Sequence, residues 1–173
     1  VMGALMQFRD ELAQQHQHPS FAVNVPTLNL GCLRAGDNPN RICGHAELQI
    51  DLRLLPGMDS DAIHKQLEQR CHDAVAGSHT QLTVSTVYPP IPPFESAADG
   101  ELTTTLAALS GKAPGTVAFG TEAHFLQTLG MQTVVWGPGS IDQAHQPNEY
   151  LEQSHIRPAI ETLQQVIGRY CLA

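Results

Sequence analysis

The sequence predicts a mixed α/β chain in two parts: an antiparallel sheet layer carrying two helices, then a stretch in which helices and strands alternate. Three observations point there. Residues 45–54 alternate strictly, with Ala46, Leu48, Ile50, Leu52 and Leu54 interleaved with Glu47, Gln49, Asp51 and Arg53, so one face is buried and one is wet. Apolar residues recur at helical spacing at Ile63, Leu67 and Cys71, and again at Ile156, Ile160, Leu163, Ile167 and Tyr170. Between these regions runs Pro89-Pro90-Ile91-Pro92-Pro93, too dense in proline for a helix or a central strand. It makes a stiff connector and sets a boundary between residues 1–88 and 89–173.

Each element has its own signal. Met2, Leu5, Met6, Phe8 and Leu12 form one face of a first helix, which ends in the polar stretch 14–20. Residues 25–33 read as a strand, and the turn cluster Gly36-Asp37-Asn38-Pro39-Asn40 joins it to strand 45–54 as a hairpin. Pro56-Gly57 ends that strand, and Asp59 or Ser60 caps the next helix, which Gly77-Ser78 breaks. Residues 82–87 are expected to form a third strand. The order helix, strand, strand, helix, strand lacks one leading strand of a ferredoxin-like βαββαβ unit. The first helix also has no capping signal before Val1, so the chain is expected to open partway through a longer protein. Beyond the prolines, helices are expected over about 98–109 and 121–129 and strands over 117–119 and 132–136. A loop follows over 137–148, and then a last helix with Pro158 in its first turn.

Composition excludes several functions. The formal net charge is −8, which argues against phosphate-backbone recognition, so no nucleic-acid partner is expected. No apolar run approaches the ~20 residues that cross a bilayer, and no signal-peptide pattern opens the chain, so no membrane partner is expected. Cys32, Cys43, Cys71 and Cys171 have neither zinc-finger nor disulfide-scaffold spacing, and reduced thiols in a cytoplasmic protein are expected.

Three places could carry chemistry. An apolar run ending at Trp136 passes straight into Gly137-Pro138-Gly139-Ser140, with His145 on that loop and Glu149 and Glu152 after it. Ligands in α/β sheets bind beyond strand C-termini, and a neutral imidazole there is a candidate ligand for Zn²⁺. At Phe119-Gly120-Thr121-Glu122 a strand is expected to hand over to a helix, whose free N–H groups would favour an anion. On the hairpin, Asn40 leaves the turn, and Arg53 presents a planar fork matched to a carboxylate.

Together, VPTLNLG (25–31), the G-D-x-x-N-R-I-C run (36–43), DLRLLPGM (51–58), PPIP (89–92), GTEAHFLQT (120–128) and GPGSIDQAHQPNEYLE (137–152) resemble a known family. It is the acetylornithine deacetylase branch of the two-zinc metallopeptidases, which also hold succinyl-diaminopimelate desuccinylase and carboxypeptidases of the same fold. The likeness spans nearly the whole chain and implies its C-terminal portion of such an enzyme. It implies that residues 1–88 are most of a ferredoxin-like lid used for dimerisation, with the first strand missing. Residues 89–173 would then be the C-terminal end of a zinc-peptidase-like α/β catalytic domain.

The resemblance also implies two Zn²⁺ or Co²⁺ ions per complete subunit, with His145 the one ligand in this chain. The general base and remaining ligands would lie upstream, so these residues alone would not hydrolyse. Asn40, Arg53, Gly120, Thr121 and Glu122 match substrate-facing positions. Bound zinc lowers the pKa of water toward ~7 and polarises a carbonyl. The implied reaction is deacetylation of N-acetyl-L-ornithine in arginine biosynthesis, by a cytoplasmic homodimer. A desuccinylase, dipeptidase or other acylamino-acid hydrolase is the alternative within the family. A non-catalytic dimerisation or binding module is the alternative of another class.

Overall fold

The computed structural model describes residues 1–172. The chain is mixed α/β and divides into two compact units. The first is Val1–Pro93 with Thr116–Gly120, and the second is Phe94–Gly115 with the residues from Thr121 onward.

The first unit is built on a hairpin. Strands β1 (Thr27–Ala35) and β2 (Ala46–Arg53) pair antiparallel, with Thr27 opposite Arg53 and Ala35 opposite Ala46. The register shifts between Leu30 and Cys32, where Gly31 is the extra residue of a bulge. A side chain there would approach the Gln49 carbonyl at 3.7 Å. The alternation expected for β2 is realised: Leu48, Ile50 and Leu52 turn inward and pack on the core, while Glu47, Gln49, Asp51 and Arg53 stay exposed.

Two helices cover the inward face. In α1 (Met2–Gln15), Leu5, Phe8 and Leu12 are buried at one-turn spacing. In α2 (Ser60–Asp73), Ile63, Leu67 and Cys71 do the same. Of the two capping candidates it is Asp59 that serves, its carboxylate accepting from the N–H groups of Asp61 and Ala62 at 3.0 Å each. These six side chains and Leu28 form one apolar core. At its rim Arg70 stacks 4.8 Å over the Phe8 ring and pairs with Glu11, clamping α2 to α1.

The second unit is helical among the described residues. It comprises α3 (Glu101–Ser110), α4 (Ala123–Thr128), a single 3₁₀ turn (Ile141–Gln143) and α5 (Gln153–Cys171). Helices α3 and α5 meet through Thr105 and Tyr170, whose hydroxyls are 3.0 Å apart, and through Arg169 and Glu101 at 3.4 Å. Thr103, Thr105 and Leu106 of α3 and Ala159 and Thr162 of α5 are buried.

Four expectations are corrected. Residues 82–87 form no strand. Leu82 and Val84 still turn toward the core while Gln81, Thr83 and Ser85 face out, so the alternation survives without a hydrogen-bonded ladder. Residues 117–119 and 132–136 also form no strand, and no parallel sheet is present among the described residues. The reason is shared: apolar sequence makes a segment extended, but only a neighbouring backbone makes it a strand. Around the last segment, side chains take over part of that role. The Ser96 hydroxyl donates to the Thr133 carbonyl, and the Gln132 side chain accepts from Leu102 N–H. Finally, α5 begins at Gln153, so Pro158 sits in its second turn rather than its first. There it withholds the N–H that would have bonded the Ser154 carbonyl.

Candidate functional site

His145 lies on the loop between the 3₁₀ turn and α5. The loop is shaped by its own short contacts. Gly139 has φ 95°, a conformation that favours glycine, and a Cβ on it would meet the Leu151 side chain at 3.1 Å, so that side chain would have to shift. The Ser140 hydroxyl oxygen accepts from Asp142 N–H at 3.3 Å and starts the 3₁₀ turn. His145 has φ 62°, the left-handed region, at a residue that is not glycine. Such a conformation costs on the order of 1–3 kcal/mol and persists where the surroundings enforce it. Here the His145 N–H donates to the Glu149 carboxylate at 3.2 Å. The carboxylate anchors the backbone, and the imidazole is left on the exposed side of the loop.

On the hairpin, Asn40 is exposed in the turn, and its N–H donates to the Asn38 side chain at 3.2 Å in a local Asx contact. Arg53 is better organised. Its Nε donates to the Asp51 carboxylate at 2.8 Å and its Nη1 to the Ala118 carbonyl at 2.9 Å. Residues 116–120 are thereby joined to the hairpin-bearing unit, with a second tie from the Thr116 hydroxyl to the Ser20 carbonyl at 3.1 Å.

The Gly120–Thr121–Glu122 turn departs from expectation. Glu122, not Thr121, is the N-cap of α4, and its side chain makes no cap bond. Thr121 Oγ1 accepts instead from Ala123 N–H at 3.2 Å. The helix has six residues, too few for an anion-binding N-terminus built on a helix dipole. Gly120 belongs to the first unit, whereas Thr121 and Glu122 belong to the second. The structure therefore brings Arg53 to the segment that ends at Gly120, and His145 to Glu149.

Residue typing alone missed two features. Ala118 enters only through its carbonyl, which no side-chain pattern reveals. His124 is 5% exposed, its ring lies 3.7 Å from that of Phe125, and its Nδ1 has no hydrogen-bond partner among the described residues. No signal in the sequence singled it out.

The metal expectation was tested against the donors present. Among the described residues, no three His, Cys, Asp or Glu side chains gather where they could hold a metal ion. A zinc site takes about three or four protein ligands. His145 could supply one, and these residues do not make a metal site by themselves.

Comparison with known proteins shows what this chain is similar to. Residues 1–78 match the peptidase dimerisation domain. The chain is 41% identical over 171 residues to acetylornithine deacetylase of Aliivibrio fischeri (strain MJ11), covering 99% of this chain and 45% of that protein. It is 42% identical over 171 residues to acetylornithine deacetylase of Klebsiella pneumoniae (strain 342), covering 99% of this chain and 44% of that one. The chain thus spans about half the length of these relatives. No helix among the described residues is long and apolar enough to cross a membrane. Residues 1–78 are thus similar to the peptidase dimerisation domain, and the chain is similar over nearly its whole length to part of the acetylornithine deacetylases.

Proposed function

We propose that the chain is part of a cytoplasmic, metal-dependent amidohydrolase that deacetylates N-acetyl-L-ornithine to ornithine and acetate, in arginine biosynthesis. The observation that carries this reading is 41% identity to an acetylornithine deacetylase over 99% of the chain. Residues 1–88 are most of the lid, and a dimerisation domain supports a homodimer formed through it. Residues 89–173 are the C-terminal end of the catalytic domain. His145 is one ligand of a Zn²⁺ or Co²⁺ site whose other ligands and general base come from outside this sequence. Asn40 and Arg53 reach toward the substrate, and Gly120, Thr121 and Glu122 form the turn that meets its polar end. The exposed imidazole of His145 supports the ligand role: Glu149 fixes the loop through the N–H and leaves the ring unencumbered.

The test is hydrolysis of N-acetyl-L-ornithine by the complete gene product with Zn²⁺ or Co²⁺, beside its His145→Ala variant. Activity that falls at least about a hundredfold in the variant, with weakened metal binding, is the expected result; loss of an outer-shell partner alone costs 10–100-fold. Activity unaffected by the substitution would remove His145 from the metal site. Turnover of succinylated or dipeptide substrates in place of the acetylated one would move the protein within its family, because pocket contacts set that choice. The 173-residue chain alone is expected to be inactive.

A further inference from the structure

Glu122 stands where the sequence led us to expect a bound anion, and its own charge reverses that expectation. The backbone around it is held. Its carbonyl accepts from Phe125 N–H at 3.0 Å, and Thr121 Oγ1 takes the Ala123 N–H at 3.2 Å. Ala123 and His124 are buried and seat α4 within the second unit. The Glu122 side chain, by contrast, is exposed and committed to nothing. It makes no cap bond to α4, and no hydrogen bond or ion pair holds its carboxylate among the described residues. Other acids of the second unit are occupied: Glu101 by Arg169, Glu149 by the His145 N–H and Glu161 by Arg157. With the Ala123 N–H already taken and a free carboxylate beside it, the start of α4 repels anions and attracts a cation.

The reaction proposed above brings one. N-acetyl-L-ornithine carries an amide, an α-carboxylate and a δ-ammonium. An ammonium offers only donors, and its strongest partner is a carboxylate oxygen. Of the side chains proposed to meet the substrate (Asn40, Arg53, Thr121 and Glu122), Glu122 alone is negative.

We propose that Glu122 is a specificity-determining residue: its carboxylate pairs with the δ-ammonium, so the site selects acyl-amino acids with a cationic side chain. This selectivity rests on the deacetylase reading.

The test compares two substrates of the complete gene product with Zn²⁺ or Co²⁺. N-acetyl-L-norvaline has the carbon skeleton of N-acetyl-L-ornithine without the δ-amine. The readout is the ratio of kcat/KM for the cationic compound to that for the neutral one. Wild-type protein is expected to favour the cation, and Glu122→Gln to lower the ratio at least about tenfold, as hydrogen bonds to charged groups contribute. Glu122→Asp, which keeps the charge on a shorter stem, is expected to retain part of the preference. An unchanged ratio in Glu122→Gln overturns the proposal. Equal losses on the two compounds, complete loss included, also overturn it, because they make Glu122 structural. Wild-type protein that hydrolyses both compounds equally well overturns this selectivity and leaves the deacetylase reading standing. Wild-type protein that hydrolyses neither removes that reading and this one with it.

Discussion

The two units bury their apolar residues to different depths. In the first, Leu5, Phe8 and Leu12 are 1–2% exposed, enclosed by α2 and the hairpin. In the second, the stripe expected to be the buried face of α5 remains open: Ile156, Ile160, Leu163, Ile167 and Tyr170 are 40–50% exposed. What α5 does bury is small or hydroxylated: Ala159 and Thr162. A stripe at helical spacing tells which face is apolar, and the depth of its burial depends on what the rest of the unit brings to it. The first unit brings two helices and a sheet face. The second brings mainly one ten-residue helix, α3.

The largest expected effect follows from that contrast. Phe8→Ala removes a side chain that is 1% exposed and empties the centre of the first core. It should cost about 3–5 kcal/mol. Ile160→Ala, at 50% exposure, should cost less than about 1 kcal/mol. Urea denaturation of both variants measures the difference. Equal losses would break the comparison, because they would mean that the α5 stripe is as well covered in solution as the α1 core.

A smaller effect sharpens the account of the first unit. Asp59 satisfies two N–H groups at the start of α2, so Asp59→Ala should cost about 1 kcal/mol, and Asp59→Ser should recover most of it. The same denaturation curves check this. If alanine and serine behave alike, the cap is not what starts the helix.

The sequence foretold best what is decided locally. The β1–β2 hairpin, α1 and α2 were legible because each carries its periodicity, turn residues or cap within a dozen positions. Segments 82–87, 117–119 and 132–136 share the apolar, β-branched composition of strands, yet strand formation is settled by a neighbour, which composition does not report. Pro158 was misplaced because the helix boundary, rather than the helix, was misjudged. In the candidate site, His145 and Arg53 could be picked from chemistry alone: an imidazole on a glycine-rich loop and a fork on a wet strand face. Their partners were partly legible. Glu149 lies four residues from His145, but Ala118 lies 65 residues from Arg53 and contributes only backbone. His124 was hidden because nothing in its spacing distinguishes a buried histidine from an exposed one.

Thiol chemistry separates the units' surfaces from the first unit's core. Cys43 and Cys171 are exposed, Cys32 is half-buried and Cys71 is buried in α2. Burial pushes the Cys71 thiol above its ordinary range and disfavours the reactive thiolate. In a timed reaction with an aromatic disulfide at neutral pH, Cys43 and Cys171 should react first and Cys71 only on unfolding. Early reaction of Cys71 would show that α2 opens locally and that the first core is less closed than its burial implies.

The smallest effect has a defined sign with pH. Glu11 and Arg70 hold α1 to α2, and the hydrogen bond from Arg70, with help from Gln7, keeps the Glu11 carboxyl below its ordinary range despite partial desolvation. Between the two pKa values the unfolded chain binds more protons than the folded one, so stability rises with pH there. The contribution is complete above the unfolded glutamate value of about 4.3 and is lost as pH falls through the lower folded value. Glu11→Gln should therefore flatten the acid limb of the melting temperature against pH while leaving the slope near neutrality unchanged. An acid limb of the same slope in both proteins would show that the Glu11–Arg70 clamp is not what ties the two helices together as the carboxylates protonate.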